Sequence, residues 1–261
     1  VPRLSSLGLF TEAAANNLIS YSQQFTPKVG APWAVVNGLT LGANNYHAPD
    51  LTNSATRVDF LSASSYLNFG VNGAFNFYVT GQPYTASLFV SPITTNFVEL
   101  FIVSGNVGFQ TQEINFNLAN GYTVVGQGNN VISSSVQPLA NNWYRVQVTF
   151  TVTANAYNAG MQIRAPTAGQ PGFVAGASQA LYIWGAQIET GSIATSYFPT
   201  TTSAAGFKRA NEIASLTFVG GVTTTINALN GNTVLAASSP LSLGSGAGSW
   251  TGSYLENVSV I

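Results

Sequence analysis

From about residue 84 onward, apolar and polar residues alternate with a period of two, the period of strands that turn one face to a core. The clearest stretch is 143–153, where Tyr144, Val146, Val148, Phe150 and Val152 share one face and Arg145, Gln147, Thr149 and Thr151 the other. Residues 84–90 and 97–103 alternate likewise and are rich in β-branched and aromatic side chains. Further strands are predicted over 113–118, 122–125, 160–164 and 180–188, separated by Asn-Gly, Gly-Asn-Asn, Pro-Thr-Ala-Gly and Gly-Ala-Ser punctuation. In the last strand the alternation sets Trp184 on one face with Tyr182, Ala186 and Ile188, a core position, and Gly185 permits a bulge or a close backbone approach. Only residues 11–19 carry local helical cues, a capping Thr11 and a run of alanine, and these are too weak to displace the β reading. Many short strands with turns between them predict an all-β, antiparallel β-sandwich or jelly roll.

The stretch 199–206, Pro-Thr-Thr-Thr-Ser-Ala-Ala-Gly, has the composition of a turn or linker. It divides a sandwich over residues 1–200, which includes an extended N-terminal segment, from a C-terminal β segment over 201–261. That segment carries hairpin signals at Gly220-Gly221 and Asn230-Gly231. Its apolar positions Ile213, Leu216, Phe218 and Val222 suit packing against the same strands of neighbouring chains about a threefold axis. No repeat of solenoid or propeller length is present.

Composition narrows the function classes. Charged residues make up 6% of the 261, so the polar surface must be built from Ser, Thr, Asn, Gln and Gly. Sixteen Phe, eleven Tyr and four Trp supply enough burial energy to exclude disorder. Seven Lys plus Arg against eight Asp plus Glu leave no basic run for phosphate, so nucleic acid is excluded as a partner. A chain of near-zero net charge tends to associate, which favours an oligomer or a larger particle. The absence of cysteine removes disulfides and thiolate metal sites. No apolar run approaches the ~18 residues of a membrane span, and Val1-Pro2-Arg3-Leu4 opens neither a signal peptide nor an anchor, so membrane insertion is not expected. A first residue other than Met points to a processed chain or a fragment.

An enzyme would have to find its groups among Glu12, Asp50, Asp59, Glu99, Glu113, Glu189, Glu212, Glu256 and His47. Glycoside hydrolysis needs two carboxyls flanking the scissile bond. The nearest pair in sequence is Asp50 and Asp59, with Arg57 between them as the partner of a plain surface ion pair. A depolymerase would set two of Asp50, Asp59, Glu99 and Glu113 opposite each other in a groove. His47 lacks the G-x-S-x-G elbow of a serine hydrolase, and a lone His cannot complete a tetrahedral zinc site. The expectation is no enzyme and no cofactor. Neutral glycans, by contrast, are recognised by aromatic faces flanked by amides and hydroxyls. The aromatics outside clear strands supply the glycan-binding candidates: Trp33, Tyr46 with its neighbour His47, and Trp250 in a Gly/Ser loop. Trp143, at the start of a strand, is assigned to structure.

Three stretches together resemble a module of bacteriophage tail-fibre and head-fibre structural proteins. The first is Gly8-Leu-Phe-Thr-Glu12 with Asn17-Leu-Ile-Ser-Tyr-Ser-Gln-Gln-Phe25, and the second is Asn142-Trp-Tyr-Arg-Val146. The third is Leu181-Tyr-Ile-Trp-Gly-Ala-Gln-Ile-Glu189 with Gly191-Ser-Ile-Ala-Thr-Ser-Tyr-Phe-Pro-Thr200 and Lys208-Arg-Ala-Asn-Glu212. Trp143, Trp184, Gly185, Glu189, Tyr197 and Pro199 are the structural residues of these motifs. The resemblance implies a jelly roll like that of carbohydrate-binding modules, carried on a homotrimeric fibre at the virion surface. Its partners would be other virion proteins and a host surface glycan. Modules of this type often hold a structural calcium, for which Asp50, Asn44 and Asn45 offer oxygens. The competing readings are a secreted bacterial carbohydrate-binding module or lectin, and a capsule depolymerase.

Overall fold

A computed structural model describes residues 3–5, 8–11, 15–27, 33–62, 64–70, 78–104, 110–128, 130–155, 159–166, 178–200, 207–209, 224–229, 232–237 and 253–255. The chain divides into one unit of Asn16–Phe207 and another of Val1–Ala15 with Lys208–Ile261. Within the larger unit twelve strands build the sandwich: β1 Trp33–Val36, β2 Leu39–Tyr46, β3 Ala55–Phe60, β4 Tyr66–Phe69, β5 Tyr84–Pro92 and β6 Phe97–Ser104. They continue as β7 Gln112–Asn117, β8 Thr123–Gln127, β9 Val131–Pro138, β10 Tyr144–Phe150, β11 Ala159–Arg164 and β12 Gln179–Thr190. The first sheet runs β8-β7-β6-β11-β4-β1 and the second β9-β10-β5-β12-β3-β2, every pair antiparallel. The chain crosses repeatedly between the sheets, giving the expected all-β jelly-roll sandwich.

Alternation does most of this work. Leu88, Val90, Leu100, Ile102, Phe150, Ile163 and Ile183 come from both sheets and are fully buried between them. Each contributes roughly 1.5–3 kcal/mol by leaving water. The strand expected over 143–153 holds its pairing over Tyr144–Phe150, with Val146 and Val148 in the core and Arg145 and Thr149 on the opposite face. The strands before residue 84 carry no clean alternation. In β2 the register slips between Leu41 and Asn44 and again before Tyr46, which scrambles the period. The helical cue over 11–19 does not develop: Ala15–Asn17 is a strand, and the described residues contain no α-helix.

Trp184 does not share a face with Ala186 and Ile188, as the alternation predicted. Gly185 takes φ +60°, and the register to β5 shifts between Trp184 and Gln187. This bulge turns Trp184 outward while Ala186 and Ile188 return to the core. An L-residue would be strained at that φ, and a Cβ there would lie 3.0 Å from Phe89 and 3.3 Å from Tyr197. The bulge also frees the Ala186 amide to donate to the Ser22 carbonyl at 3.0 Å.

Residues 191–200 then run as a strap over the outer face of the second sheet. Arg145 donates to the Thr195 carbonyl at 2.7 Å and to Ser87 Oγ at 2.9 Å. The buried Glu189 carboxylate accepts from the Thr195 amide and, at 2.7 Å, from its hydroxyl. Beneath the strap Tyr197 packs on Trp184 with ring centroids 4.6 Å apart, beside Phe89. Residues 17–22 lock the far end: Ser22 Oγ lies 2.6 Å from Tyr197 Oη and accepts from the Thr200 amide, and Asn17 Nδ2 donates to the Phe198 carbonyl.

The smaller unit groups residues 1–15 with the C-terminal segment. The reason is strand pairing: Gly8–Thr11 lies between Arg3–Ser5 and Ser253–Leu255, with Phe10 opposite Tyr254. Thr224–Leu229 and Asn232–Ala237 pair up to Leu229 opposite Asn232, as the Asn230-Gly231 signal predicts. Gly220, Gly221, Ile213, Leu216, Phe218 and Val222 lie outside the described residues.

Gly185→Ala is expected to destabilise the sandwich by about 2 kcal/mol or more, from strain at positive φ plus crowding against Phe89 and Tyr197. Thermal unfolding checks this; an unchanged midpoint would remove the bulge from its place in the fold.

Candidate functional site

At one end of the second sheet the outer face carries an aromatic shelf. Tyr46, the last residue of β2, stacks on Tyr182 of β12 with ring centroids 3.7 Å apart and planes 3° from parallel. Tyr46 is 36% exposed and Tyr182 is half-buried beneath it. Trp143 supports the pair from below, 6.5 Å from Tyr46, and its indole N–H donates to the His47 carbonyl at 3.0 Å. The His47 side chain is exposed beside the shelf. In strand register Tyr182 stands opposite Arg57, whose guanidinium grips Asp59 at 2.7 Å. Both members of that pair are accessible, so the shelf has an apolar ring and fixed donors and acceptors side by side.

The other glycan candidates do not join it. Trp33 is a core residue, 2% exposed, edge-on to Phe25 and tilted on Phe69, with its N–H donated to the Tyr21 carbonyl. No ring face is left for a ligand, because β1 follows Pro32 directly and turns the indole inward. Trp250 lies outside the described residues. Trp143 and Trp184 are buried, and Trp184 donates to Ser54 Oγ at 2.9 Å. Glu189, Tyr197 and Gly185 serve the strap, whose Pro199 is exposed. Tyr182 was not singled out as a ligand contact; its alternation with Ile183 already set it on the face of Trp184.

The carboxylates sort differently. Asp50 caps its own turn, accepting from the Thr52 amide at 3.1 Å and hydroxyl at 2.7 Å. Asp59 is held by Arg57. Glu99 and Glu113 come together on neighbouring strands β6 and β7, on the outer face of the first sheet, at 0% and 2% exposure. They stand side by side on one face rather than across a groove. Arg164 on β11, directly opposite Glu99, donates to its Oε1 at 3.0 Å. The guanidinium lies 3.5 Å over the Phe101 ring and also binds Gln162 Oε1. Glu99 Oε2 meets no nitrogen or hydroxyl donor, and the Glu113 carboxyl is its neighbour. Burial first, and then Glu113, push the Glu99 carboxyl up to about 7, against the pull of Arg164. Asn115, across from Glu99, is 3% exposed with both amide atoms unpartnered. The sequence offered one signal for this cluster: Glu99 and Glu113 occupy the polar phase of alternating strands.

No protein-family model matches the chain, and no curated protein matches it in sequence. Among solved structures it is similar to the CBM22-1 xylan-binding domain of Paenibacillus barcinonensis Xyn10C, at 13% identity and a TM-score of 0.41 over 70% of this chain and 99% of that one. It is also similar to the CBM22-1–GH10 modules of Clostridium thermocellum xylanase 10B complexed with xylohexaose, at 11% identity and a TM-score of 0.36. That match covers 72% of this chain and 30% of that one. The enzymatically active domain of bacteriophage CBA120 tailspike protein 4 aligns at 12% identity and a TM-score of 0.37, over 67% of this chain and 21% of that one. At such scores none of these likenesses carries a function across.

The acid cluster generates a pH dependence. The fold keeps a proton on Glu99 between the ordinary 4.5 and about 7, where the unfolded chain has lost it. Stability in metal-free buffer should therefore fall as pH rises through that window and level off above it. Glu99→Gln should flatten the profile and raise the neutral-pH unfolding midpoint by several degrees. A wild-type profile that is flat, or that rises with pH, would refute the assignment.

Proposed function

We propose that this protein is a non-enzymatic structural component of a virion surface, a head or tail fibre assembled as a homotrimer, whose sandwich adsorbs to neutral host glycans. The observation that carries the binding half is the Tyr46–Tyr182 stack, an aromatic platform exposed at its upper ring and flanked by the Arg57–Asp59 pair and His47. An exposed ring of this kind packs on the C–H face of a pyranose, and flanking polar groups bond its hydroxyls. The neutral skin of the chain fits a ligand without charge.

The virion half is supported by the three sequence motifs that resemble phage fibre modules, two of which interlock through residues 17–22 and 186–200. The non-enzymatic reading is supported by the carboxylates. The two that meet, Glu99 and Glu113, are enclosed side by side, and hydrolysis needs a sugar between its acids. Among the described residues no helix is long and apolar enough to cross a membrane.

On a panel of neutral oligosaccharides, Tyr46→Ala should lose roughly tenfold in affinity while Tyr46→Phe keeps it, since the ring rather than the hydroxyl forms the platform. Equal binding by wild type and Tyr46→Ala, or none by wild type, would end the adsorption reading. Imaging of the source particle at chain-tracing resolution should show three copies projecting from a head or tail. A stable monomer at micromolar concentration in analytical ultracentrifugation would argue for a secreted binding module instead.

A further inference from the structure

The pocket between Glu99, Glu113 and Asn115 has an electrostatic deficit that its own side chains do not close. β6 is the middle strand of three, and its Glu99 is approached from opposite sides. On the β11 side Oε1 takes the Arg164 guanidinium at 3.0 Å. On the β7 side Oε2 meets no donor, although the carboxylate is 0% exposed. Asn115, paired with Glu99 in register, presents its amide on the same face, with Oδ1 and Nδ2 both unpartnered. Glu113 lies two residues along the same strand, on the same face, 2% exposed. Two carboxylates share one guanidinium, so the pocket is neutral only while a proton or a cation lies between the acids. An enclosed, unpaired charge is among the costliest features a fold can retain.

We infer that this pocket is a binding site for a hard divalent cation of the calcium class, ligated by Glu99 Oε2, the Glu113 carboxylate and Asn115 Oδ1. All three are oxygen donors, the ligand type that hard cations take, with water completing the shell. Arg164 occupies the other oxygen of Glu99 from the neighbouring strand, where it is also bonded to Gln162 and set over the Phe101 ring. Enclosure decides between a cation and a sugar. A pyranose needs an open face, and Glu99 exposes none, whereas a monatomic ion fills the gap between facing side chains. A trapped water would satisfy the amide yet leave the charge in place. The site is separate from the Tyr46 shelf, from the Asp50 turn and from the glycan reading.

The test uses the full-length chain, stripped with a chelator and titrated with calcium chloride at mildly alkaline pH, by calorimetry and by thermal unfolding. Wild type should bind one ion and gain several degrees in unfolding midpoint. Glu113→Gln should weaken binding roughly tenfold or more, and Asn115→Asp, which adds a charged oxygen, should tighten it. Asp50→Asn should bind as wild type does. No heat and no midpoint shift up to millimolar calcium would overturn the inference and leave a shared proton alone in the pocket. Binding that is lost in Asp50→Asn but survives Glu113→Gln would overturn it too, by moving the ion to the turn.

Discussion

The bulge at Gly185 is the constraint on which the rest of the sandwich depends. β12 is a central strand of the second sheet, and a regular β12 with Leu181 and Ile183 in the core would turn Ala186 and Ile188 out to the face of Trp184. The positive φ of Gly185 avoids that by giving the strand an extra residue, so that Ala186 and Ile188 return to the core while the indole packs in a second buried cluster on the outer face. One backbone amide then lacks a ladder partner, and Ser22 supplies the carbonyl. Residues 17–22 are thereby pinned to the strand from which the strap departs, and the strap closes back on Ser22 through Tyr197 and Thr200. Stretches 175 and 178 residues apart in the chain are held by hydrogen bonds about one hydroxyl.

A chain with so few charges places two of its arginines inside the fold. Arg145, 9% exposed, donates to the oxygens of Ser87 and Thr195 and lies over the face of Phe89. Arg164, 5% exposed, has a true counter-ion in Glu99. Strap and acid cluster thus follow from one shortage: a neutral skin leaves little charge to spare, and what the sheets enclose must be balanced locally.

The second half of the sandwich was legible because its strands bury one face in phase. Residues 84–90, 97–103, 113–118 and 180–188 each fall within or nearly coincide with an observed strand. The first half was not, for physical reasons. β2 carries two register slips and shows no period; in the second half β9 is the exception, an outer strand with exposed Ile132 and serines that shows none either. Trp184 was misplaced because alternation assumes an unbroken strand. Of the shelf, Tyr46 and His47 were visible as aromatic and polar residues near a turn, but the stack with Tyr182 joins positions far apart in sequence and has no local signature. Asn115 was invisible for the same reason, since its meaning comes from the Glu99 opposite it.

Shelf and strap are coupled through β12. Tyr182 and Trp184 project from the same face of that strand on the near side of the bulge, and the bulge fixes the rotation of both. Trp184 is held by Ser54, and Trp143 by the carbonyl of His47, so the loop leading from Tyr46 into β3 is tied at two points to the cluster beneath the strap. Tyr46 therefore sits at the end of a braced segment although it closes an irregular strand. A ligand that stacks on such a ring meets a surface already in place and does not have to order it, and that saving is what lets one or two aromatic contacts hold a neutral sugar. A weak single contact is useful only if many copies act together, and under the proposed function a fibre repeating the shelf on each chain would supply that through high effective concentration.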